Sequence, residues 1–233
     1  RQMCIRDRFA TQWEFDFTTD TIQYYVRDKI DIGMLTINLG WKGFKVTNEA
    51  EAVVSSSFPE GKIKAEDWFQ PHAGFAVELS PEAEIFGGFT QVTKAFASAT
   101  TTGPFSTNQA GFDQIRDDLK PESSDTYELG LRYNTSRFNG TLGAYLVNFR
   151  NRLLAVQVGS PILGLASALQ NVGNVRAVGI EAAGDLKLGQ GFGLYASYSY
   201  TDATYRDDVL NSSDGTLVAA IKGKTVVDSP KHM

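Results

Sequence analysis

The sequence predicts an all-β protein, an antiparallel up-and-down meander, on the basis of three observations. Apolar and polar residues alternate along Tyr127–Tyr133 and Val178–Leu188, and a period of two indicates a strand because successive side chains leave a pleated ribbon on opposite sides. Short polar turns alternate with long connections along the chain. No run of about 18 apolar residues is present that could form a transmembrane helix. Such strands, apolar on one face and small or charged on the other, suit a wall between lipid and water.

Nine or ten strands follow from the alternation. We predict them at about residues 11–17, 29–40, 44–54, 70–79, 84–94, 122–134, 138–152, 171–188 and 192–206, with a further strand starting after Lys224. Hairpin turns are expected at Trp41–Gly43, Ser80–Glu82, Asn134–Ser136 and Gly189–Gly191. The longer connections are predicted at Ser55–Trp68, Lys94–Asp118, Val156–Gln170 and Asp207–Gly223. Short turns at one end of the sheet and long loops at the other are typical of outer-membrane barrels.

The alternation also assigns side chains to the two faces of the sheet. The set expected to face lipid is Tyr127, Leu129, Leu131, Val178, Ile180, Leu186, Leu194 and Tyr198. The set expected to face the lumen is Glu128, Arg132, Glu181, Asp185, Ser197 and Ser199. The segment Phe138–Phe149 is apolar on both faces toward its end. The register of that strand therefore stays open.

The composition argues against one class of partner, but it does not distinguish between classes of fold. The 233 residues are 42% hydrophobic and 21% charged, with a net charge of −5. A soluble domain and an outer-membrane barrel both have such values, because half of each barrel strand faces water. The balance is mildly acidic and the lysines and arginines are scattered. A nucleic-acid partner is therefore not expected.

The residues that usually perform catalysis or bind metals are scarce. The single cysteine, Cys4, excludes an intrachain disulfide and a cysteine zinc cluster. The two histidines, His72 and His232, lie far apart without ligand spacing around them, so neither a metal site on the protein nor a cofactor is expected. No catalytic triad, phosphate-binding glycine loop or cysteine nucleophile is recognisable. The sequence therefore does not predict an enzyme.

Three blocks in order resemble the C-terminal barrel half of TonB-dependent outer-membrane receptors. They are LKPESSDTYELGLRY at Leu119–Tyr133, NFRNRL at Asn148–Leu153 and NVGNVRAVGIE at Asn171–Glu181. The resemblance extends from roughly Gln70 to the end of the chain and more weakly back to Thr11. Each block alone would be a weak signal, but the order and spacing of all three together are specific.

The resemblance implies both an architecture and a function. It implies a transmembrane β-barrel of 22 strands with a plug domain inside, in the outer membrane of a Gram-negative bacterium. It implies uptake of a scarce, bulky nutrient, most often a ferric siderophore, driven by TonB through the plug region. The expected partners are outer-membrane lipid, lipopolysaccharide, TonB and the cargo. Cobalamin, carbohydrates and other metal chelates are the alternative cargoes.

The ends of the chain do not match the complete family pattern. Residues 1–10 begin with RQMCIRDR, which fits neither the strand pattern nor the family, and are expected to be foreign to the fold or disordered. The alternative is that they are the end of an extracellular loop. Residues 11–233 are expected to be a partial barrel, truncated at both ends, without the plug and without the C-terminal strands.

The loop Ala95–Phe112 is the first candidate for ligand contact. It is rich in Ser, Thr, Gly and Asn and contains Phe96, Phe105 and Phe112. Aromatic rings among small polar groups on an extracellular loop can contact an aryl-containing siderophore. The alternative is that these rings pack the loop onto its neighbours.

Charged residues give the second group of candidates. Arg150 and Arg152, at the outer end of a strand, could contact an anionic ferric complex, or anchor the strand to lipopolysaccharide headgroups. Three carboxylates, Glu122, Glu128 and Glu181, are better explained as lumen charges paired across strands than as an acid–base pair. Arg132 and Arg176 are the candidate partners of those carboxylates.

Other protein classes remain as alternatives. A passive porin or adhesin barrel shares the alternation but lacks the three blocks. A soluble β-sandwich has strands of about 5–6 residues, shorter than the strands predicted here. A barrel hydrolase needs a Ser/His pair, and His72, the only internal histidine, has no evident partner.

Overall fold

The structure, a computed structural model, describes residues 11–54, 57–96, 103–157, 167–210, 215–227 and 229–233. The strands of its main sheet are β1 Glu14–Ile32, β2 Leu35–Val54, β3 Gly61–Ser80, β4 Ala83–Thr93, β5 Ser123–Asn134, β6 Phe138–Arg150, β9 Val175–Gly189 and β10 Phe192–Tyr205. Two small hairpins lie in the connections: β7 Leu153–Gln157 with β8 Ser167–Asn171, and β11 Val209–Leu210 with β12 Leu217–Ala219. The connection from β4 to β5 contains a 3-10 turn, Gly103–Phe105, and helix α1, Gln109–Ile115.

The eight long strands form one open antiparallel sheet. Its order is β1-β2-β3-β4-β5-β6-β9-β10, so every strand pairs with its neighbour along the meander. β1 and β10 lie at the two edges, and the sheet does not close into a barrel. Beside β10, the residues after Lys224 make isolated bridges, Thr204 with Thr225 and Tyr200 with His232, where the further strand was predicted. The predicted fold class is confirmed.

Three of the predicted turns are confirmed and one is wrong. The chain reverses at Pro81–Glu82, at Thr135–Arg137 and at Gln190–Gly191. By contrast, Trp41–Gly43 lies in the middle of β2, and the turn before β2 is Gly33–Met34, where Gly33 has a φ of 60°. The predicted loop Ser55–Trp68 is also too long, because β3 begins at Gly61. The expectations for residues 1–10 fall outside the described residues.

The register of the strands assigns every side chain of the main sheet to a face. We call the side that presents Tyr127, Leu129 and Leu131 the apolar face, and the opposite side the polar face. Each residue of the predicted lipid-facing set lies on the apolar face, and each residue of the predicted lumen-facing set lies on the polar face. β6 places Leu142, Ala144 and Leu146 on the apolar face, because Leu146 pairs with Tyr127 and Ala144 with Leu129.

Toward the end of the sheet that bears the long loops, the two faces exchange character. At this end of β2 the polar face presents the apolar side chains of Phe44, Val46 and Ala50, whereas the apolar face presents Lys45, Thr47 and Glu49. The other side of the sheet follows the same rule: Val175, Ala177, Ala203 and Tyr205 are buried on the polar face, and Arg176 and Asp202 lie on the apolar face. The apolar side chains on the apolar face therefore form a band, and this band is shorter than the strands.

The band has a definite height. On β9 it runs from Val178 to Leu186, which is about 26 Å along the strand at ~3.3 Å per residue. A strand tilt of about 40° reduces this distance to about 20 Å between the outermost Cα atoms, before the terminal side chains are added.

Aromatic rings cover the glycines of the strands. Four buried glycines of the main sheet are directly opposite an aromatic residue of the next strand: the pairs are Tyr24 with Gly43, Phe75 with Gly87, Phe86 with Gly130 and Tyr145 with Gly179. A Cβ on any of these glycines would collide with the ring, for example at 2.8 Å from Phe75 at position 87. Each ring thus fills the space that a glycine leaves and protects the local backbone hydrogen bonds.

These pairs predict that glycine is required where a ring lies over it. In the full-length protein that contains this chain, Gly130→Ala should destabilise the barrel by about 1–3 kcal/mol through overpacking, because the new Cβ meets the Phe86 ring and lies 2.8 Å from the carbonyl oxygen of Leu142. The matched control is Gly143→Ala on the facing residue, whose Cβ would find only the Leu129 carbonyl oxygen at 3.9 Å. Equal shifts of the urea midpoints for refolding into vesicles would contradict this explanation.

Candidate ligand-capture surface

The longest described connection, from β4 to β5, folds back onto the polar face. Asn108 is the N-cap of its helix α1, and the Asn108 side-chain oxygen accepts a hydrogen bond of 2.8 Å from the backbone N–H of Gly111. This N-cap satisfies one of the free donors at the helix start. Gln109 then fastens the helix to the β2–β3 connection, since its side chain accepts from the N–H of Glu60 at 2.8 Å and donates to the carbonyl of Glu60 at 3.1 Å.

A small hydrophobic core holds this connection in place. Phe96, Phe105 and Phe112 pack on three residues of the polar face, Ala50, Ile63 and Ala65. The rings of Phe105 and Phe112 are stacked with their centroids 5.0 Å apart.

The burial of these rings favours the packing alternative for the loop. Phe105 and Phe112 are fully buried, and Phe96 is 7% exposed. Contact of the three rings with a ligand stays a prediction.

Polar contacts fix both strands of the loop base. The buried side chain of Asn48 donates to the carbonyl of Phe96 at 2.7 Å and accepts from the hydroxyl of Thr19 at 2.9 Å. The buried side chain of Gln70 accepts from the N–H of Thr93 at 2.9 Å, and the Thr93 hydroxyl donates to Asp67 at 2.5 Å. Buried amides bonded in this way give the loop one defined start point on the wall.

The three sequence blocks that resemble the receptor family meet in one place. Glu122 accepts from the Arg152 guanidinium at 2.8 Å and from the backbone N–H of Leu153 at 3.1 Å. The Asn171 side chain accepts from the N–H of Lys120 and donates to the carbonyls of Lys120 and Asn151, at 2.8–2.9 Å. We call these residues, Lys120, Glu122, Asn151, Arg152 and Asn171, the clasp. It joins the roots of the β4–β5 and β6–β9 connections.

The predicted arginines therefore have structural partners. Arg152 is engaged in the clasp, while Arg150 forms an ion pair of 2.8 Å with Asp125 on the apolar face, above the apolar band. The contact of Arg150 or Arg152 with cargo or lipopolysaccharide stays a prediction. Of the suggested partners of the carboxylates, Arg132 pairs with Glu84 at 2.7 Å, and Arg176 lies on the apolar face. Within the described ranges, no ion pair includes Glu128 or Glu181.

A cleft of about 390 Å³ opens on the polar face at the base of the β4–β5 connection. Its lining includes three polar-face side chains of β1 and β2, Gln23, Tyr25 and Lys42, which lie beside Gln70 and Thr93 of the loop base. Tyr25 is 79% exposed. In the described part of the chain, neither Tyr25 nor Lys42 has a side-chain hydrogen bond or an ion pair. Both side chains are therefore exposed and unpaired within the described residues.

The sequence prediction missed Tyr25 and Lys42 because it missed their strand. Residues 18–28 are too polar to alternate clearly, and Lys42 stood in a predicted turn. The alternation from Leu35 to Trp41, if continued by one residue, places Lys42 on the same face as Thr36 and Asn38.

The charges of the polar face are unevenly distributed. β1 and β2 present Arg27, Lys29, Asp31 and Lys42 on this face, a net charge of +2. β3, β4, β5 and β9 present six carboxylates and two cations, a net charge of −4: Asp67, Glu78, Glu84, Glu128, Glu181 and Asp185 with Arg132 and Lys187. The cleft is thus at the basic side of the sheet.

Among the described residues there is no group of three or more His, Cys, Asp or Glu side chains suited to a metal ion, and no helix that is long and apolar enough to cross a membrane.

The clasp predicts that the roots of the two connections open more often when the Glu122 carboxylate is removed. The Glu122 side chain is 12% exposed, so Glu122→Ala leaves a cation and a backbone N–H without their partner. We expect the clasp to open about 30-fold more often, which corresponds to a decrease of about 2 kcal/mol in the free energy of local opening. The measurement is hydrogen exchange, which should be faster in peptides that cover Asn151–Ala155. Glu49→Ala is the control, because the Glu49–Lys62 pair is exposed and worth at most about 1 kcal/mol. Unchanged exchange in the Glu122 variant would show that the clasp does not hold the loops.

Comparison with known proteins agrees with this architecture. The family model described as "TonB dependent receptor-like, beta-barrel" matches residues 6–233. The siderophore receptor PiuA from Acinetobacter baumannii is 18% identical, with a TM-score of 0.70 over 94% of this chain and 30% of that protein. The ferric citrate transporter FecA, in its unliganded form, is 22% identical, with a TM-score of 0.64 over the same shares. The copper transporter OprC is 16% identical, with a TM-score of 0.61 over 84% of this chain and 32% of that protein.

The chain thus spans about a third or less of the length of these structures. Its structural likeness to them at such low identity establishes the fold, and the match of the family model over almost the whole sequence establishes the family. The chain belongs to the TonB-dependent receptor-like β-barrel family.

Proposed function

We propose that this chain is part of the wall and of the ligand-capture surface of an outer-membrane transporter that takes up an anionic ferric complex of the siderophore type. The observation that supports this cargo is the polar-face cleft, where the Lys42 ammonium and the Tyr25 ring are both unpaired and exposed. A cation attracts the net negative charge of such a complex, and an aromatic ring stacks on its aryl groups. Gln23 adds an amide that can donate to a chelating oxygen.

The apolar face supports a position in a bilayer. Its band on β9, about 20 Å between the outermost Cα atoms, approaches the apolar band of about 25 Å on outer-membrane barrels once side chains are included. Above the band the same face becomes charged at Lys45, Glu49 and Arg176, as expected where a wall leaves the hydrocarbon and enters the headgroups and water. The backbone hydrogen bonds of the sheet satisfy the polar groups that lipid cannot.

In the proposed transporter the two ends of the sheet have different tasks. The long connections and the cleft at their base capture the complex from outside, while the short turns face the periplasm. A plug domain outside these residues would close the barrel, and TonB would act on that plug to release the cargo inward. The wall then stays rigid during transport. The loops that are fixed to the wall keep the ligand-contacting side chains at fixed distances from one another.

The cleft predicts a charge-dependent loss of binding on one face of β2. In the full-length transporter, Lys42→Glu should weaken binding of an anionic ferric siderophore by about 10–100-fold, because a charge-assisted contact of about 1.5–3 kcal/mol is removed and replaced by repulsion. The measurement is the Kd of a radiolabelled ferric complex on isolated outer membranes.

Lys45→Glu is the matched control for this experiment. Lys45 lies on the same strand with the same charge change, but on the opposite face. Equal losses in the two variants would indicate general electrostatics, and no loss in the Lys42 variant would remove the cleft from the capture surface. Loss of uptake, with binding retained, in cells that lack TonB tests the energy source separately.

The membrane position predicts a second, independent result. Leu129 lies on the apolar face within the band, so Leu129→Arg near the midplane should cost about 2–4 kcal/mol in a folding titration from bilayers. The Arg at position 129 would have to leave water without any partner in the hydrocarbon. A neutral effect would contradict lipid exposure of this face.

A further inference from the structure

A second row of polar-face side chains lies directly beside the cleft, on its turn side. In this row Arg27 of β1 pairs with Gly40 of β2, and Gly40 pairs with His72 of β3. The neighbouring row of the same face contains Tyr25 and Lys42, which line the cleft. Residues two positions apart on a strand are separated by about 7 Å. A ligand in the cleft that is larger than this distance therefore also reaches the second row.

Arg27 and His72 extend over β2 from opposite sides. The His72 ring lies over Gly40, because a Cβ at position 40 would be 2.5 Å from the Cε1 atom and 2.8 Å from the Nε2 atom of that ring. The Arg27 guanidinium reaches β2 from the other side and donates to Asn38 Oδ1 at 3.0 Å. Asn38 and Gly40 are two positions apart on the same face of β2. Gly40 has no side chain that would separate the guanidinium from the imidazole.

The positive charge of Arg27 is not neutralised by a neighbouring acid. Its partner Asn38 is a neutral amide, which fixes the guanidinium and leaves most of its N–H donors free. In the described part of the chain, no ion pair includes Arg27 and no side-chain hydrogen bond includes His72. The next cation of β1 differs, because Lys29 forms an ion pair of 3.0 Å with Asp31. Among the polar-face cations that these coordinates describe on β1 and β2, Arg27 and Lys42 are therefore the two without an ion pair.

We propose that Arg27 and His72 form a second anion-binding position beside the cleft, so that the capture surface selects a ferric complex with several negative charges. The inference rests on the proposed function, because it takes the cargo to be an anionic ferric complex. Lys42 and Tyr25 contact one side of the complex. The planar fork of the Arg27 guanidinium binds carboxylate or chelating oxygens on the next side, and a ring N–H of His72 donates to the same oxygens.

The charges around the two rows favour a multiply charged cargo. Two carboxylates lie near them on the polar face, and both have partners. Asp31 is paired with Lys29, and Asp67 accepts from the Thr93 hydroxyl at 2.5 Å. A cation that contacts a neutral complex loses water without gaining an opposite charge. A complex with one negative group satisfies one cation, whereas a complex with several satisfies both.

A carboxylate of another protein segment inside the barrel is the alternative partner of Arg27. The position of Arg27 directly beside the cleft favours the cargo, because the two free cations then face one ligand. The two partners also differ in one measurable respect. A contact with cargo makes the contribution of Arg27 to affinity depend on the charge of the cargo, whereas a contact with protein does not.

The test compares two cargoes of similar size on isolated outer membranes that contain the full-length transporter: a trianionic ferric tris-catecholate and a neutral ferric tris-hydroxamate. The wild-type protein should bind the trianionic complex at least about 10-fold more tightly. Arg27→Gln should raise the Kd of the trianionic complex about 5–20-fold, because a charge-assisted contact becomes a neutral one, and should change the Kd of the neutral complex less than about twofold. Lys187→Gln is the matched control, because Lys187 is an exposed cation of β9 on the same face, and it should change neither Kd.

Two further variants separate charge from shape. Arg27→Lys keeps the charge and should bind the trianionic complex more tightly than Arg27→Gln does. His72→Phe keeps a ring over Gly40 but removes the N–H donors, so it should raise the Kd of the trianionic complex about 3–10-fold. Equal losses for both complexes, or unchanged affinity for the trianionic complex in the Arg27 and His72 variants, would overturn the second position. If Lys42→Glu still weakens binding in that case, the proposed function stands without it, whereas a wild-type protein that binds neither complex would overturn both.

Discussion

The apolar surface of the sheet changes sides along the strands, and the loop architecture depends on that change. Over most of their length the strands present leucine, isoleucine and tyrosine to the apolar face. At the loop end Phe44, Val46 and Ala50 of β2 present their apolar side chains to the polar face instead. One strand can therefore be a lipid-facing wall over one part and the floor of a loop core over the next. Without the exchange, Phe105 and Phe112 would meet a polar wall, and the β4–β5 connection would have no core.

A β-bulge in β3 allows this strand to follow the exchange of apolar and polar side chains between the two faces. Lys42 pairs with Gln70 but Phe44 pairs with Asp67, so β3 contributes one extra residue at Trp68–Phe69. A bulge reverses the phase of alternation on the strand that contains it. Ile63 and Ala65 therefore face the loop core, while Lys62 and Lys64 point to the opposite face. In a regular strand the two lysines would be directed into that core, where unpaired charges are strongly unfavourable.

The same bulge explains which parts of the fold were predictable from sequence. β5, β9 and β10 alternate over most of their length, so their faces followed from the period of two, although β9 begins at Val175 and not at residue 171. In β3 the phase breaks at Trp68–Phe69, so residues 61–67 were assigned to a loop although they alternate in the opposite phase. Gly43 was assigned to a turn because glycine usually ends a strand, whereas here it provides space for the ring of Tyr24. Pairing partners on other strands decide such positions, and a single sequence does not contain them.

The candidate site was predictable only in its location. The sequence indicated that long loops gather at one end of the sheet, and it left open whether the three phenylalanines contact a ligand or pack the loop. It did not indicate that Lys42 and Tyr25 of the wall would be exposed and unpaired. The family-like blocks show the same division. Glu122, Arg152 and Asn171 form hydrogen bonds with one another or with the backbone, so they position the loops, whereas contact of Arg152 with cargo stays a prediction. The clasp and the candidate ligand-contacting side chains of the inner wall are separate sets of residues, so a change in the wall side chains would leave the clasp intact.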